Sequence, residues 1–195
     1  MESKNKIVAI VGMCGSGKSI ATDFLVDKGW NKVYFGGVTM DVMKDEGLEV
    51  TPENEKYIRE RLREEHGMGV YAKLSLPKIR ELSLIGDTVL DGLYSWDELV
   101  ILKQEFEDRL SLIAIVVDRE IRYERLKIRK IRPLTREEAI KRDLAEIENI
   151  AKGGPIAMAD YYIYNNGGMP SYIKALNETM NNINKIKIKV NKKIK

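Results

Sequence analysis

A chain of 195 residues with 44% hydrophobic and 32% charged residues can bury one sizeable core but is short for two, so one domain with insertions is expected. The net charge of +3 rests on nearly balanced acids and bases, which leaves no overall nucleic-acid footprint but suits a small anionic substrate. The one cysteine, Cys14, excludes an intrachain disulfide framework and points to a reducing, cytoplasmic setting.

Ile7 to Val11 is the first apolar run. It is far shorter than the roughly 20 residues of a membrane span, so neither anchor nor export signal is expected. Ending at Gly12, it fits a strand buried on both faces of a parallel sheet. Gly17 to Lys28 reads as the following helix, with Ile20, Phe24 and Leu25 on one face and Gly29 as its stop. Between them Gly12-Met13-Cys14-Gly15-Ser16-Gly17-Lys18-Ser19 satisfies G-x-x-x-x-G-K-[ST] in the strand-to-helix context that gives the pattern meaning. The glycines let successive backbone N–H groups turn inward around phosphates, and the positive end of the helix favours the anion. With Ile20 next along the helix, this loop is the expected ATP-binding set. Lys18 is suited to bridge the β- and γ-phosphates and to follow charge during transfer, and the Ser19 hydroxyl to ligate Mg²⁺.

Lys32 to Phe35, Thr88 to Asp91, Leu112 to Val117 and Tyr161 to Tyr164 are further short apolar runs that alternate with helical patterns, which argues for α/β layering. Residues 36–84 hold two helical patterns without a strong strand and read as an acceptor-binding insertion. Thr51 before Pro52, Ser95 ahead of Glu98 and Thr135 ahead of Glu138 are expected helix N-caps. Val89-Leu90-Asp91-Gly92 ends the third strand with a carboxylate on the same sheet edge as the phosphate loop, where Asp91 can reach a metal or its water shell. A turn-capping aspartate is the competing view. Gly92 replaces the adjacent acid that would activate water, favouring transfer over hydrolysis.

From Arg119 to Arg142 the chain carries Arg122, Arg125, Arg129, Arg132, Arg136 and Arg142, with Pro133 interrupting two helical patterns. A hinged lid over residues 126–137 fits this arrangement. Phosphoryl transfer depends on positioned cations that match developing charge, so Arg129 and Arg142, with Arg125 beside them, are expected to face the nucleotide. Arg122 and Arg132 read as ordinary solvated charges. The tail, residues 185–195, alternates lysine with Ile186, Ile188 and Val190 and reads as a frayed or edge-strand terminus, or a weak contact for an anionic polymer. His66 suits a helix end, Trp30 and Trp96 suit packing, and no spacing of His, Cys and carboxylates suggests zinc.

These residues resemble the nucleotide-kinase branch of P-loop proteins, which includes adenylate kinase and dephospho-CoA kinase. The resemblance runs in order over nearly the whole chain. The chain also resembles archaeal proteins related to those two kinases, through GMCGSGKS, VLDG, RPLT, Arg142-Asp143 and ADYYIYNNG. The resemblance implies a P-loop NTPase three-layer α/β/α sandwich with a five-stranded parallel sheet, a helical insertion for the acceptor and a short lid, using ATP and Mg²⁺. It further implies that Arg125 lies near the adenine, that Arg129 and Arg142 touch the transferring phosphate, and that Asn165, Asn166 and Gly167 form part of the adenine-side loop.

Two departures matter. Adenylate kinase grips its acceptor phosphate with arginines after the second strand and in a DGFPR segment; here those stretches read FGGVTM and DGLYS, with Met40 and Ser95 at or near their places. Dephospho-CoA kinase places an aspartate after the second strand; Gly36-Gly37 stand there, which leaves Asp41 or Asp91 as a carboxylate base. Arg59, Arg61 and Arg63 either replace the phosphate clamp or form an exposed charged face. Tyr71 or Tyr94 is a candidate to stack on an acceptor base. The expected function is ATP-dependent phosphotransfer to a nucleotide or nucleotide-like cofactor precursor, such as a nucleoside monophosphate or dephospho-CoA. The alternative is a P-loop ATPase or nucleotide-state switch acting on a protein or RNA partner.

Overall fold

The computed structural model describes residues 5–193, with side chains through Lys185. In chain order the elements are β1 (Ile7–Val11), α1 (Lys18–Val26), β2 (Asn31–Tyr34), α2 (Gly37–Asp45), α3 (Pro52–His66), α4 (Val70–Ile85), β3 (Thr88–Asp91), α5 (Trp96–Phe106), β4 (Leu110–Val116), α6 (Arg119–Ile128), α7 (Arg136–Glu148), α8 (Gly153–Ala157), β5 (Tyr161–Tyr164) and α9 (Met169–Lys193). The strands form one sheet in the order β2-β3-β1-β4-β5, and each neighbouring pair is parallel.

β1 is buried at all five positions, as a central strand covered on both faces must be. Its side chains divide by strand alternation. Ile7, Ala9 and Val11 join Leu90 and Leu112 against the side carrying Met43, Ile58, Ile79 and Leu102. Val8 and Ile10 join Val89, Ile113 and Ile115 against Ala21, Leu25, Tyr172 and Leu176. Two cores back to back on one sheet make the three-layer sandwich, and its register is tight because a one-residue slip would exchange the faces. Successive connections run to one side of β1 and then to the other, so the strand order reverses there and opens a crevice at the carboxyl edge.

The capping signals hold. Thr51 Oγ1 accepts from Asn54 N at 3.1 Å, and Ser95 and Thr135 each complete a capping box. Ser95 also donates to Met68 O at 3.0 Å, tying the turn before α4 to the start of α5.

Other expectations are corrected. Three helices, α2, α3 and α4, stand where the sequence shows two patterns; α2 escapes a periodicity reading because it is short and opens on glycine, although Thr39 and Met43 share its buried face. On α1 the buried stripe is Ala21 and Leu25, with Phe24 only partly buried, while Ile20 is 36% exposed. The lysine-rich alternation at the C-terminus belongs to α9 through Lys193 and is no edge strand; a helix already anchored by Tyr172, Leu176, Met180 and Ile183 extends at low cost per residue. The last two positions of that tail, Ile194 and Lys195, lie outside the described residues.

Candidate active site

The loop between β1 and α1 is shaped by its glycines. Gly12, Gly15 and Gly17 have φ of 148°, 81° and 94°, a region that disfavours side chains. Crowding adds to this: a Cβ on Gly12 would meet Ile115 O at 2.5 Å, and one on Gly15 would meet Arg122 O at 2.9 Å. Lys18 folds back over the loop and donates to Gly12 O at 2.7 Å and Met13 O at 2.9 Å. Three side chains from distant elements hold other loop carbonyls: Arg122 donates to Cys14 O at 3.0 Å, Asn165 to Ser16 O at 2.9 Å and Tyr172 to Gly17 O at 2.9 Å. The Ser16 hydroxyl is buried in the turn without a hydrogen-bond partner, a cost that an added acceptor or donor removes.

A cavity of about 650 Å³ opens from this loop. Its walls include Cys14, Gly15, Gly17, Lys18, Ser19 and Ile20 from the loop and α1, Asp91 and Tyr94 around the end of β3, and Arg125, Leu126, Arg129, Arg142, Glu146 and Lys152 from α6 onward. Lys32 and Tyr34 complete it. Six basic side chains thus face two carboxylates. The effect on Lys18 is direct: burial first, and then the Lys152 ammonium, bring its pKa from 10.5 down to about 7.

The structure therefore gathers most of the sequence-derived candidates around one cavity. Asp91 reaches it while paired to Lys32 at 3.1 Å. Arg129 lines it with its Nε donating to Arg132 O. Arg142 lines it beside Glu146, Nε to Oε1 3.3 Å. Arg125 approaches Gly167 O at 3.5 Å. Asn166 instead accepts from Asp118 N at 2.9 Å, joining the loop after β5 to the loop after β4. Asn165 lies beneath the phosphate loop, as its bond to Ser16 O requires.

Some candidates are elsewhere. Asp41 is exposed on α2 and lies outside the cavity lining. The insertion arginines are already engaged: Arg59 with Glu55 at 3.3 Å, Arg61 with Glu46, and Arg63 over the Tyr71 ring at 4.9 Å. None of the three lines the cavity, and Tyr71 bonds Thr39 at 2.8 Å.

Two arginines that read as solvated in the sequence are not free charges. Arg122 is buried, making a bidentate pair with Asp143 at 2.9 and 2.6 Å. Arg132, at φ 51°, reaches from the loop between α6 and α7 to grip Glu55 on α3 at 2.9 and 3.2 Å. This pair straps the α6–α7 loop to α3.

Sequence reasoning misses Glu146 and Lys152. Lys152 is 1% exposed, its Nζ lies 2.7 Å from Glu146 and 4.5 Å from the Tyr94 ring centre. A lysine before Gly153-Gly154 reads as a loop residue; in the fold it lies over the Tyr94 ring, and the adjoining Gly154 packs so close to Trp96 that a Cβ there would meet the indole at 2.8 Å.

Among the described residues no group of three or more His, Cys, Asp and Glu is placed to hold a metal by itself, and no helix is long and apolar enough to cross a membrane. Ser19 and Asp91 both face the cavity, so a divalent cation there would need oxygens from a ligand to complete its shell.

A family model, AAA_18, an AAA domain, matches residues 8–147. A UPF0200 protein of Thermococcus kodakarensis is 37% identical over 171 residues, covering 85% of this chain and 91% of that protein. Among solved structures, TT1252 from Thermus thermophilus is similar with a TM-score of 0.62 at 17% identity, covering 90% of this chain and 96% of that one. Shikimate kinase from Acinetobacter baumannii, in complex with shikimate, has a TM-score of 0.58 at 18% identity, covering 95% of this chain and 96% of that one. The fold is that of the P-loop kinase-like proteins.

Proposed function

Since the chain belongs to the AAA_18 domain family and to the archaeal UPF0200 proteins, we propose that it is an ATP- and Mg²⁺-dependent phosphotransferase acting on a small anionic acceptor, a nucleotide or nucleotide-like cofactor precursor. The observation that carries this reading is the cavity charge. Its basic side chains outnumber its carboxylates six to two, an excess that suits an anionic acceptor beside a metal-complexed triphosphate. The arrangement suits the relatives of adenylate kinase and dephospho-CoA kinase.

The residues fit the cofactor. Backbone amides from Gly12 to Ser19 would hold the β- and γ-phosphates. Ser19 and Asp91 would hold Mg²⁺, which when bound neutralises charge on those phosphate oxygens. Lys18 exchanges its bonds to Gly12 O and Met13 O for phosphate oxygens and tracks the transferring group. Arg129 and Arg142 supply donors for the equatorial oxygens. Arg125, next to Gly167, borders the base. The strap from Arg132 to Glu55 keeps the lid down and water out.

Engagement by phosphate restores the charge on Lys18. With its free value at about 7, Mg·ATP binding at pH 8 takes up about one proton, and the uptake fades below pH 6, where the lysine is already charged. Isothermal titration in buffers of different ionisation enthalpy reads this directly; binding without proton uptake at pH 8 contradicts the assigned role.

The function itself is tested by incubating the protein with Mg²⁺ and γ-labelled ATP and a panel of nucleoside monophosphates, nucleosides and dephospho-CoA. One labelled acceptor product is expected, absent with Lys18→Met. Phosphate release that no acceptor stimulates would instead identify an ATPase or nucleotide-state switch.

A further inference from the structure

The two carboxylates in the cavity are held differently. Asp91 sits at a strand end with Lys32 as its counter-ion. Glu146 projects from α7 with its side chain 12% exposed, gripped by Lys152 through Oε2 at 2.7 Å and approached by Arg142 through Oε1 at 3.3 Å. Lys152 is itself fixed, buried above the Tyr94 ring with its backbone N–H donating to Glu146 O at 3.1 Å. The charges of Glu146 and Lys152 both act on Lys18, so the cluster stands close to where the phosphate loop presents the group to be transferred. After β2, where an acceptor carboxylate could otherwise stand, the chain has Gly36 and Gly37, and Asp41 is exposed beyond them.

We propose that Glu146 is the catalytic carboxylate that orients an acceptor hydroxyl for attack, with Lys152 as the positioning residue that fixes it, and that the acceptor is therefore an alcohol and not a phosphate. This rests on the kinase reading above and narrows it. The acceptor oxygen forms its bond to the γ-phosphorus as the bond from that phosphorus to the β–γ bridging oxygen breaks. ADP leaves with that electron pair, and the hydroxyl proton passes to Glu146 and then to solvent. In a loose transition state the hydroxyl keeps its proton until the new bond is well formed, so a weak base suffices. Burial alone would raise the Glu146 carboxyl, but Lys152 and Arg142 outweigh it and hold it below its ordinary range. It thus stays ionised near neutrality and accepts the hydroxyl's hydrogen bond. A phosphate acceptor, already ionised, has no hydroxyl proton for such a group to orient or take.

The test compares wild type with Glu146→Gln, Glu146→Asp and the double variant Glu146→Gln with Lys152→Met, which leaves no uncompensated buried cation. Basal Mg·ATP hydrolysis, in which water takes the place of the hydroxyl, and transfer to dephospho-CoA and nucleosides are measured beside ADP affinity and melting temperature. Glu146→Gln is expected to lower kcat for both reactions about a hundredfold, with KM for Mg·ATP and ADP affinity within twofold of wild type. Glu146→Asp recovers part of the loss, and the folded double variant stays slow. A folded Glu146→Gln or double variant with wild-type kcat overturns the assignment. So does efficient use of a nucleoside monophosphate with no effect of Glu146→Gln, a result that leaves the kinase reading intact. Failure of the kinase reading is seen separately, in wild type, as hydrolysis that no acceptor stimulates.

Discussion

Lys18→Met is expected to turn over Mg·ATP about a thousandfold more slowly than wild type, the scale for losing a pre-organised cation aimed at developing charge, while the ligand-free variant melts no lower. Methionine keeps most of the stem and removes the charge. The second half of the expectation follows from linkage. The folded pKa of Lys18, about 7, lies below the ordinary 10.5, so the unfolded chain holds the proton more tightly. The penalty is therefore complete below pH 7 and lifts as pH rises from 7 toward 10.5. Calorimetric scans at about pH 6, 7.5 and 9, without nucleotide, should show wild type gaining on the variant with rising pH. A variant with near-normal turnover, or a large melting loss at pH 7, refutes this account.

Asp143→Ala should be the most damaging substitution for the fold. It strands the buried Arg122 guanidinium, which loses both short bonds to the carboxylate and keeps only Cys14 O, and it removes the acceptor for the Tyr123 hydroxyl at 3.1 Å. Breaking one side of such a pair costs about 3–5 kcal/mol, which corresponds to a melting-temperature loss of about 10 °C for a chain of this size. Because Arg122 also braces the phosphate loop, nucleotide affinity should fall in the same variant. Replacing both partners, Arg122→Met with Asp143→Leu, should recover most of the stability but not the affinity. Chemical denaturation alongside nucleotide titration separates the two; a double variant as unstable as the single one would refute the pairing argument.

What can be read from the chain alone is local. The phosphate loop, the three caps and the five strands each announce themselves within a few residues, because glycine spacing, a hydroxyl ahead of proline or three residues before a carboxylate, and short apolar runs act through the nearest backbone. Arg122 and Asp143 are 21 residues apart, and nothing near either signals that packing α6 against α7 will bury both. Lys152 is hidden for a related reason: the ring it lies over, Tyr94, is far away in the chain. The insertion arginines mislead in the opposite direction. Glu55 is a helical neighbour of Arg59, but Glu46, which engages Arg61, lies outside any window of helical periodicity. Helix α2 is masked by its glycines, which weigh against a helix interior but are tolerable in a first turn.

The supports beneath the phosphate loop have an implication for the order of assembly. Asn165 and Tyr172, which anchor Ser16 and Gly17, follow the last strand to join the sheet. During synthesis the N-terminal motif therefore emerges long before the pieces that rigidify it. The nascent loop is left without its foundation until β5 docks at the sheet edge and the start of α9 closes beneath it. Acquisition of a nucleotide and completion of the native topology should consequently coincide, with ligand favouring the final docking event over the earlier, partly assembled forms.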